Sequence, residues 1–306
     1  MPAPRRVLPW LALVTTWIVW GSTYMAIRIV VRWLPPFAAA SLRFSAAGSV
    51  MGLAALGFDR RHGWPTRRQW LDYAVIGCLL LGLGNAVVMW SEQRLPSGLV
   101  ALVVASVPLW ITLIDGLRPG GEAWTLRVWL GALLGFLGVT LIAQPGASLD
   151  PGQAGGILAL QGAALAWSLG ALYSQSIPRK LPLCSAAAIE MLAGGLLLVV
   201  ESKVAGEDVA RFAVAPREAW LALLYLAVFG SLVGFTAFAY CLNELPASTV
   251  GTYAYVNPVV AVTLGALLLG ESLSAHLLGG GALILLAVIL TTRRPRPRPA
   301  SGARAQ

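Results

Sequence analysis

Long apolar runs without a formal charge dominate this chain. Seven runs contain no Asp, Glu, Lys or Arg: Val7–Ile27, Tyr73–Ser91, Leu95–Ile114, Val128–Leu149, Pro151–Pro178, Ala219–Asn243 and Leu245–Gly270. Ser272–Thr292 is an eighth if His276 is neutral, and two more runs, Trp33–Phe58 and Leu181–Val200, are each interrupted by one charge. Each run is long enough to cross a hydrocarbon core of about 30 Å as a helix. Because lipid cannot satisfy the backbone and these runs lack the alternation of a barrel strand, helices are the structure they favour.

The pattern therefore predicts an all-α membrane protein with ten transmembrane helices. We expect these helices near residues 8–31, 36–57, 69–92, 95–117, 124–145, 154–177, 182–201, 219–241, 246–269 and 273–292. The connections between them are short, so no soluble domain is predicted.

The same pattern of five predicted spans occurs twice along the chain. Trp70 to Leu117 aligns with Trp220 to Leu267 at a constant offset of 150, and the first spans align at an offset of 147, which pairs Trp20 with Trp167. Since five is odd, the second copy must enter the membrane from the opposite side. This predicts an inverted-topology repeat, which is typical of secondary transporters. We assign residues 1–147 to the first five-helix repeat, 148–292 to the second, and 293–306 to a disordered basic tail.

Composition agrees with a membrane location. Of the 306 residues 58% are hydrophobic and only 11% are charged, whereas a soluble domain has about a quarter charged residues. A net charge of +9 would suggest nucleic acid in a soluble protein, but here the basic residues lie in short loops and tails. Of the 22 Lys and Arg, fifteen fall on the side of the N-terminus and six on the other, while Arg43 lies inside a span. The positive-inside rule then predicts that both termini are cytoplasmic. We expect no nucleic-acid partner.

Motifs of catalysis and cofactor binding are missing from the sequence. The three cysteines lack metal-ligand spacing, and there is no H-E-x-x-H, G-x-S-x-G or Walker motif. We therefore predict that the chain is not an enzyme and holds no metal and no cofactor. A membrane-embedded lipid-modifying enzyme and a non-transporting membrane protein stay open as alternatives.

Matched prolines point to a central site. Pro108 and Pro258 occupy equivalent places in the two copies, well inside their predicted helices, and each removes a backbone hydrogen bond. The freed carbonyl groups should face protein or a wet cavity rather than lipid. Matched interruptions of this kind favour a substrate site, although a simple packing kink is the alternative.

Polar and aromatic residues near mid-span add to this hypothesis. Trp20 and Trp167 are symmetry-related and could stack on an organic substrate, or could only pack between helices. Tyr253 and Asn257 lie on one helix face beside Pro258, and Asn85 lies mid-span in the first copy. An intramembrane Asn can contact substrate or hydrogen-bond a neighbouring helix, and the sequence leaves both open.

Two formal charges lie well inside spans at equivalent positions, Arg43 and Glu190. An intramembrane ionisable residue is a functional hypothesis by default, so proton coupling by Glu190 and a structural role for both residues are the two interpretations. Small-residue motifs, Gly131-x-x-x-Gly135 and Gly279-Gly280-Gly281, indicate close helix packing, either within one subunit or in a homodimer.

At these residues the chain resembles the EamA-type family of the drug/metabolite transporter superfamily, nearest to its YedA-like and YddG-like exporters. The resemblance is carried by Trp20-Gly21-Ser22-Thr23-Tyr24, Leu42-Arg43-Phe44, Val107-Pro108-Leu109, Tyr253-Ala254-Tyr255-Val256-Asn257-Pro258 and Leu269-Gly270-Glu271. It implies two inverted five-helix bundles around a cavity lined by spans one, three, four, six, eight and nine, with spans two and seven more peripheral. Carried onto this chain, it implies that the substrate is bound by Trp20, Tyr24, Asn85, Pro108, Trp167, Tyr253, Asn257 and Pro258. It also implies export of small metabolites, such as amino acids or drug-like compounds, across the lipid bilayer.

Overall fold

The computed structural model describes residues 7–59, 61, 63–118, 125–143, 151–178, 180–245 and 247–292. The predicted basic tail, residues 293–306, lies outside the described residues, as does the loop at Gly121-Glu122-Ala123. Everywhere in the described ranges the regular structure is helical, which confirms the all-α prediction.

Helices follow the apolar runs closely. We label them α1 to α10, with these bounds: α1 Leu8–Trp33, α2 Pro36–Phe58, α3 Arg67–Ser91, α4 Ser97–Asp115, α5 Leu126–Ala143, α6 Pro151–Ser176, α7 Leu183–Val204, α8 Arg217–Glu244, α9 Tyr253–Leu269 and α10 Ala275–Thr292. A single turn, Ala247–Val250, precedes α9, and another, Arg211–Val214, lies in the connector before α8.

Seven of the described helices are long and apolar enough to cross a membrane, namely α1 to α4 and α6 to α8. The apolar parts of α5, α9 and α10 are shorter, Leu126–Ile142, Tyr253–Leu269 and Ala275–Leu290. The count of ten membrane spans and their inverted threading therefore stay predictions.

Two helices contain a π-helical segment that the sequence did not predict. These segments are Cys78–Asn85 in α3 and Leu226–Val233 in α8, and they lie 148 residues apart. A π-helical turn widens the helix and loosens its regular hydrogen bonding, and such segments are frequent at functional sites. Both lie in the run of the alignment that pairs the two copies.

The structure corrects one expectation about the prolines. Pro258 lies inside α9 as predicted, but Pro108 does not lie inside a continuous helix. The helical turns of α4 stop at Val104, and a new segment begins at Val107, so that Pro108 occupies its first turn. Proline is well tolerated there because the first amides of a helix have no intrahelical acceptor. The clash with the preceding turn is thus relieved by a break rather than by a kink.

Close packing of equivalent helices builds the fold. α2 packs along α7, and α5 packs along α10. A Cβ on Gly138 of α5 would lie 2.6 Å from the carbonyl oxygen of Gly280 of α10, so that only glycine allows this approach. Glycines of α5 and α10 are therefore used for packing within the chain, and a homodimer stays a prediction.

Carboxylates of one half bind the helix N-termini of the other half. Glu207 accepts hydrogen bonds from the amides of Phe37 and Ala38 at the start of α2, at 3.0 and 2.8 Å. Asp59, after α2, accepts from the amide and hydroxyl of Ser185 at the start of α7, at 2.8 and 2.7 Å. An anion at a helix N-terminus is stabilised by the free amides and by the helix dipole. These contacts tie α2 to α7 at both of their ends.

Candidate functional site

A large cavity lies between the helices of the two halves. Its wall comes from α1, α2, α3, α4, α6, α7, α8 and α9. The space not filled by protein atoms is about 990 Å³, part of it open to solvent, and this is within the size range of small-molecule sites. All eight residues predicted to bind substrate line this cavity. The structure brings them together, and their contact with a substrate stays a prediction.

Aromatic rings form one wall. The ring of Trp20 in α1 lies 4.9 Å from that of Phe238 and 5.5 Å from that of Tyr253, centroid to centroid. The Trp20 indole N–H donates to the carbonyl oxygen of Gly230 at 3.2 Å. Gly230 belongs to the π-helical segment of α8, whose loosened ladder leaves a carbonyl able to accept this bond. Tyr24, one helical turn beyond Trp20, also faces the cavity.

Trp167, on α6, adds another aromatic ring to the lining of the cavity. An ideal Cβ at Gly84 of α3 would lie 3.0 Å from Cε3 of Trp167, so the tryptophan packs onto a bare stretch of the α3 backbone. Gly84 belongs to the second π-helical segment, next to the cavity-lining Asn85. The rings of Trp20 and Trp167 thus each depend on a π-helical segment of the other half.

The broken part of α4 and the proline of α9 also face the cavity. Pro108 lies beside the break after Val104, and Pro258 follows Asn257 in α9. With the amide of Asn257 oriented so that both of its atoms are satisfied, its nitrogen donates to the carbonyl oxygens of Trp17 and Tyr253, at 3.2 Å each. Asn257 therefore makes the interhelical bond that the sequence left open, because it joins α9 to α1. It also lines the cavity, and its contact with a substrate stays a prediction.

Arg43 lies closer to the cavity than the resemblance implied for span two. Its side chain is buried and lines the cavity from α2. The guanidinium Nε donates to Ser231 Oγ at 3.0 Å, and Nη1 donates to Asn85 Oδ1 at 3.4 Å. Arg43 thereby connects α2 to both π-helical segments.

Glu190 lies elsewhere. It is buried in α7 but is not a lining residue of the cavity. Its backbone packs against Gly77 of α3 so closely that a Cβ at Gly77 would overlap it. In the described part of the chain no salt bridge joins Glu190 to Arg43. The structure therefore separates the two charges that the sequence had paired by position.

Three charged residues outside the cavity lining also make contacts between helices, and the sequence analysis named only Glu271 among them, in the Leu269-Gly270-Glu271 motif. Glu92 lies one helical turn beyond the cavity-lining Val88, is fully buried, and has two carboxylate oxygens without a hydrogen-bond partner. Arg28 donates to the main-chain carbonyl of Glu92. Glu271 accepts from the amide and hydroxyl of Ser97 at 2.8 and 2.9 Å and from the amide of Gly98 at 3.1 Å, which closes the start of α4 against the loop after α9.

Sequence reasoning also missed Ser231, which holds Arg43. The signal is faint, since Ser231 is a lone polar residue in the apolar run Leu226–Val233, and small polar residues in such runs usually only allow close packing. Gln161, a polar residue in the apolar part of α6, has a structural contact, because its side-chain oxygen accepts from the indole N–H of Trp110 at 2.9 Å.

Comparison with known proteins agrees with this architecture. The model of the EamA-like transporter family matches the chain twice, over residues 8–144 and 154–293. The inner membrane transporter YedA of Escherichia coli (strain K12), itself uncharacterized, is 40% identical over 290 residues, which cover 94% of this chain and 92% of YedA. The uncharacterized transporter YvbV of Bacillus subtilis (strain 168) is 26% identical over 290 residues, which cover 93% of this chain and 92% of YvbV. A protein of known crystal structure superposes with a TM-score of 0.60 at 22% identity, over 92% of this chain and 95% of that one, which indicates a shared fold.

Proposed function

Since this chain belongs to the EamA-like transporter family, we propose that it is a secondary transporter that exports small organic molecules from the cytoplasm by alternating access. The observation that carries the proposal is the cavity, which gathers aromatic rings, two amides and one guanidinium between two halves of one chain. Amino acids and drug-like amphipathic compounds are the classes of substrate that fit such a wall, since rings stack on an apolar body and the amides and guanidinium fix its polar groups.

Pairing of the two halves supports the alternating-access part of the proposal. The family model matches each half separately, and the π-helical segments of α3 and α8 lie at equivalent places beside the cavity. In transporters built from inverted repeats, one bundle rocks against the other around a site near the midplane. On this proposal the chain has ten spans, both termini are cytoplasmic, and the protein lies in a bacterial inner membrane.

On this proposal, hydrogen-bonded contacts at the helix ends are the points of closure. Glu271 ties the loop after α9 to Ser97 at the start of α4, and Asp59 ties the end of α2 to Ser185 at the start of α7. Each contact joins the two halves through a carboxylate that could exchange helix amides for water. On the proposed threading, Glu271 lies on the outer side of the membrane and Asp59 on the cytoplasmic side. Opening at one end would break the first set of bonds while the second stays closed.

Resistance and flux together test the proposal. Cells that overproduce the chain are challenged with toxic amino-acid analogues and antibacterial compounds, beside cells that overproduce the Trp20→Ala variant. Compounds to which only the wild-type chain gives resistance are then measured in proteoliposomes containing purified protein. Saturable, substrate-specific flux is the expected result. Non-saturable leakage, or the absence of flux for every compound that gave resistance, would contradict the proposal.

A further inference from the structure

Arg43 carries the one formal charge among the side chains described at the cavity wall. Its side chain is only 4% exposed. The two ion pairs found in the described ranges are Arg68 with Asp72 and Arg118 with Asp115, and neither involves Arg43. A buried cation is normally paired, because removing it from water without a counter-charge is costly.

Neutral groups hold the guanidinium in place. Ser231 Oγ accepts from Nε and Asn85 Oδ1 accepts from Nη1, while the ring of Phe44 lies 4.6 Å from Cζ. A guanidinium has five N–H donors, so these two bonds leave three of them without a partner in the described residues. The contacts orient the group but do not balance its charge. A carboxylate binds such a fork with two parallel hydrogen bonds, and bonds between ionised partners are the stronger kind.

The rest of the wall suits the body of an amphipathic molecule. Trp20, Tyr24, Trp167 and Tyr253 present large rings to the cavity, and no Asp or Glu lines it. A phosphate or a dicarboxylate would call for more than one cation, whereas one buried guanidinium balances one negative charge. An ammonium group would find only ring faces and uncharged oxygens here.

We propose that the transported molecule is an organic monocarboxylate with an aromatic or apolar body, and that Arg43 binds its carboxylate. This inference rests on the proposed function, because it names the substrate class of the same cavity. Amino acids and aryl-substituted carboxylic acids both belong to this class. Arg43 is then the residue that selects acids over analogues that lack the carboxylate.

Matched pairs of acid and amide test the assignment in purified protein. The probes are 3-phenylpropionate, 3-(indol-3-yl)propionate, phenylalanine and tryptophan, each beside its primary amide, with binding measured by calorimetry in detergent. We expect the wild-type chain to bind the acid at least about tenfold more tightly than the amide for one or more pairs, which is a small part of what a buried charge pair can contribute. In Arg43→Gln this preference should disappear, whereas Arg32→Gln, which removes an exposed cation outside the cavity, should leave it unchanged.

A second variant tests the assignment even if Arg43→Gln fails to fold. Ser231→Asp places an internal carboxylate beside the guanidinium, so it should keep the protein folded and abolish acid preference because the cation is already paired. Three results would overturn the assignment. The wild-type chain could bind acid and amide equally, or it could bind no acid of the panel. Arg43→Gln and Ser231→Asp could also each lose acid and amide binding to the same extent.

The binding and flux measurements distinguish failure of the site assignment from failure of the transport proposal. If the wild-type chain prefers acids in detergent but carries no saturable flux in proteoliposomes, the transport proposal fails and the site assignment stands. If it carries saturable flux of neutral or cationic compounds without any acid preference, the transport proposal stands and the assignment to Arg43 is wrong.

Discussion

The indole of Trp20 lies directly against Gly234, so that a Cβ at that glycine would overlap the indole nitrogen. Trp167 lies in the same way against Gly84. In the alignment of the two copies Trp20 pairs with Trp167 and Gly84 pairs with Gly234. Each half of the chain therefore supplies a tryptophan to the cavity and the glycine that receives the tryptophan of the other half.

Substitution of Gly234 by Ala should displace Trp20 from the cavity wall. Overpacking of a filled site costs about 1–3 kcal/mol, so we expect a lower melting temperature in detergent and slower transport. Gly162→Ala is the matched control, because a Cβ there meets nothing within 4 Å and alanine favours a helix more than glycine does. If Gly234→Ala had the same melting temperature and transport rate as Gly162→Ala, the close contact with Trp20 would not be needed for stability or for transport.

Loss of either deep ring should reduce transport while folded protein stays in the membrane. Trp20→Ala and Trp167→Ala each remove a ring from the cavity wall, and stacking with an aromatic partner contributes about 0.5–1.5 kcal/mol beyond area burial. We expect the Michaelis constant for flux in proteoliposomes to rise. Trp64→Ala is the control, since Trp64 is 82% exposed and lies outside the described helices. Unchanged flux in both deep variants would remove these residues from the site.

The contact of Glu271 with the start of α4 should stabilise the folded protein. Glu271→Gln keeps the size of the side chain but removes one of its two acceptor oxygens. The remaining oxygen cannot accept all of the hydrogen bonds that the carboxylate now accepts from Ser97 and Gly98. Because hydrogen bonds to a charged group contribute about 1.5–3 kcal/mol, we expect a clear fall in the melting temperature. Glu244→Gln, at an exposed position, should change little. An equal change of the melting temperature in both variants would mean that the Glu271 contact does not stabilise the protein.

Removal of the Glu92 carboxylate should stabilise the protein. Both of its oxygens are buried without a donor, and an unsatisfied buried polar group costs about 1–3 kcal/mol. Glu92→Met keeps a similar length and should raise the melting temperature, since Arg28 bonds the main-chain carbonyl and does not need the side chain. The control variant Glu244→Met, at an exposed position, should show no rise in the melting temperature. A fall in the melting temperature of Glu92→Met would show that the carboxylate has a stabilising partner.

Reporter fusions test the threading of the chain. An enzyme that is active only in the cytoplasm, fused after residue 58 or at the C-terminus, should be active in both fusions, and one fused after residue 33 should be inactive. The expectation follows from the excess of Lys and Arg in loops on one side. Termini on opposite faces of the membrane would contradict the ten-span count and the inverted repeat together.

Much of the fold was readable from local signals. The apolar runs predicted most helices to within a few residues, as at α2, expected at 36–57 and observed at Pro36–Phe58. The exception is α9, which was expected from residue 246 and begins at Tyr253, after the separate turn Ala247–Val250. Membership of the EamA-like family is confirmed by the double match of its model. Both successes depend on run length and residue order, which are properties of the chain itself.

The site could be predicted only in part. All eight predicted residues line one cavity. The repeat marked only two pairs of them, Trp20 with Trp167 and Pro108 with Pro258, and the full set came from the resemblance to the EamA-type family. The break before Pro108 and the π-helical segments were not predicted, since a proline signal does not say whether a helix bends or stops, and no residue type marks a π-helical turn.

By itself, the sequence determined the helical class, the place of most helices, the family and the duplicated pattern, because each of these follows from residues that are near one another or at a constant spacing. Tertiary structure alone decided that Arg43 faces the cavity while Glu190 packs behind α3, although the two occupy equivalent positions. It also decided that Ser231 holds the guanidinium from a distant helix. What surrounds a buried charge depends on which parts of the chain are brought together in space, and spacing along the chain does not contain that information.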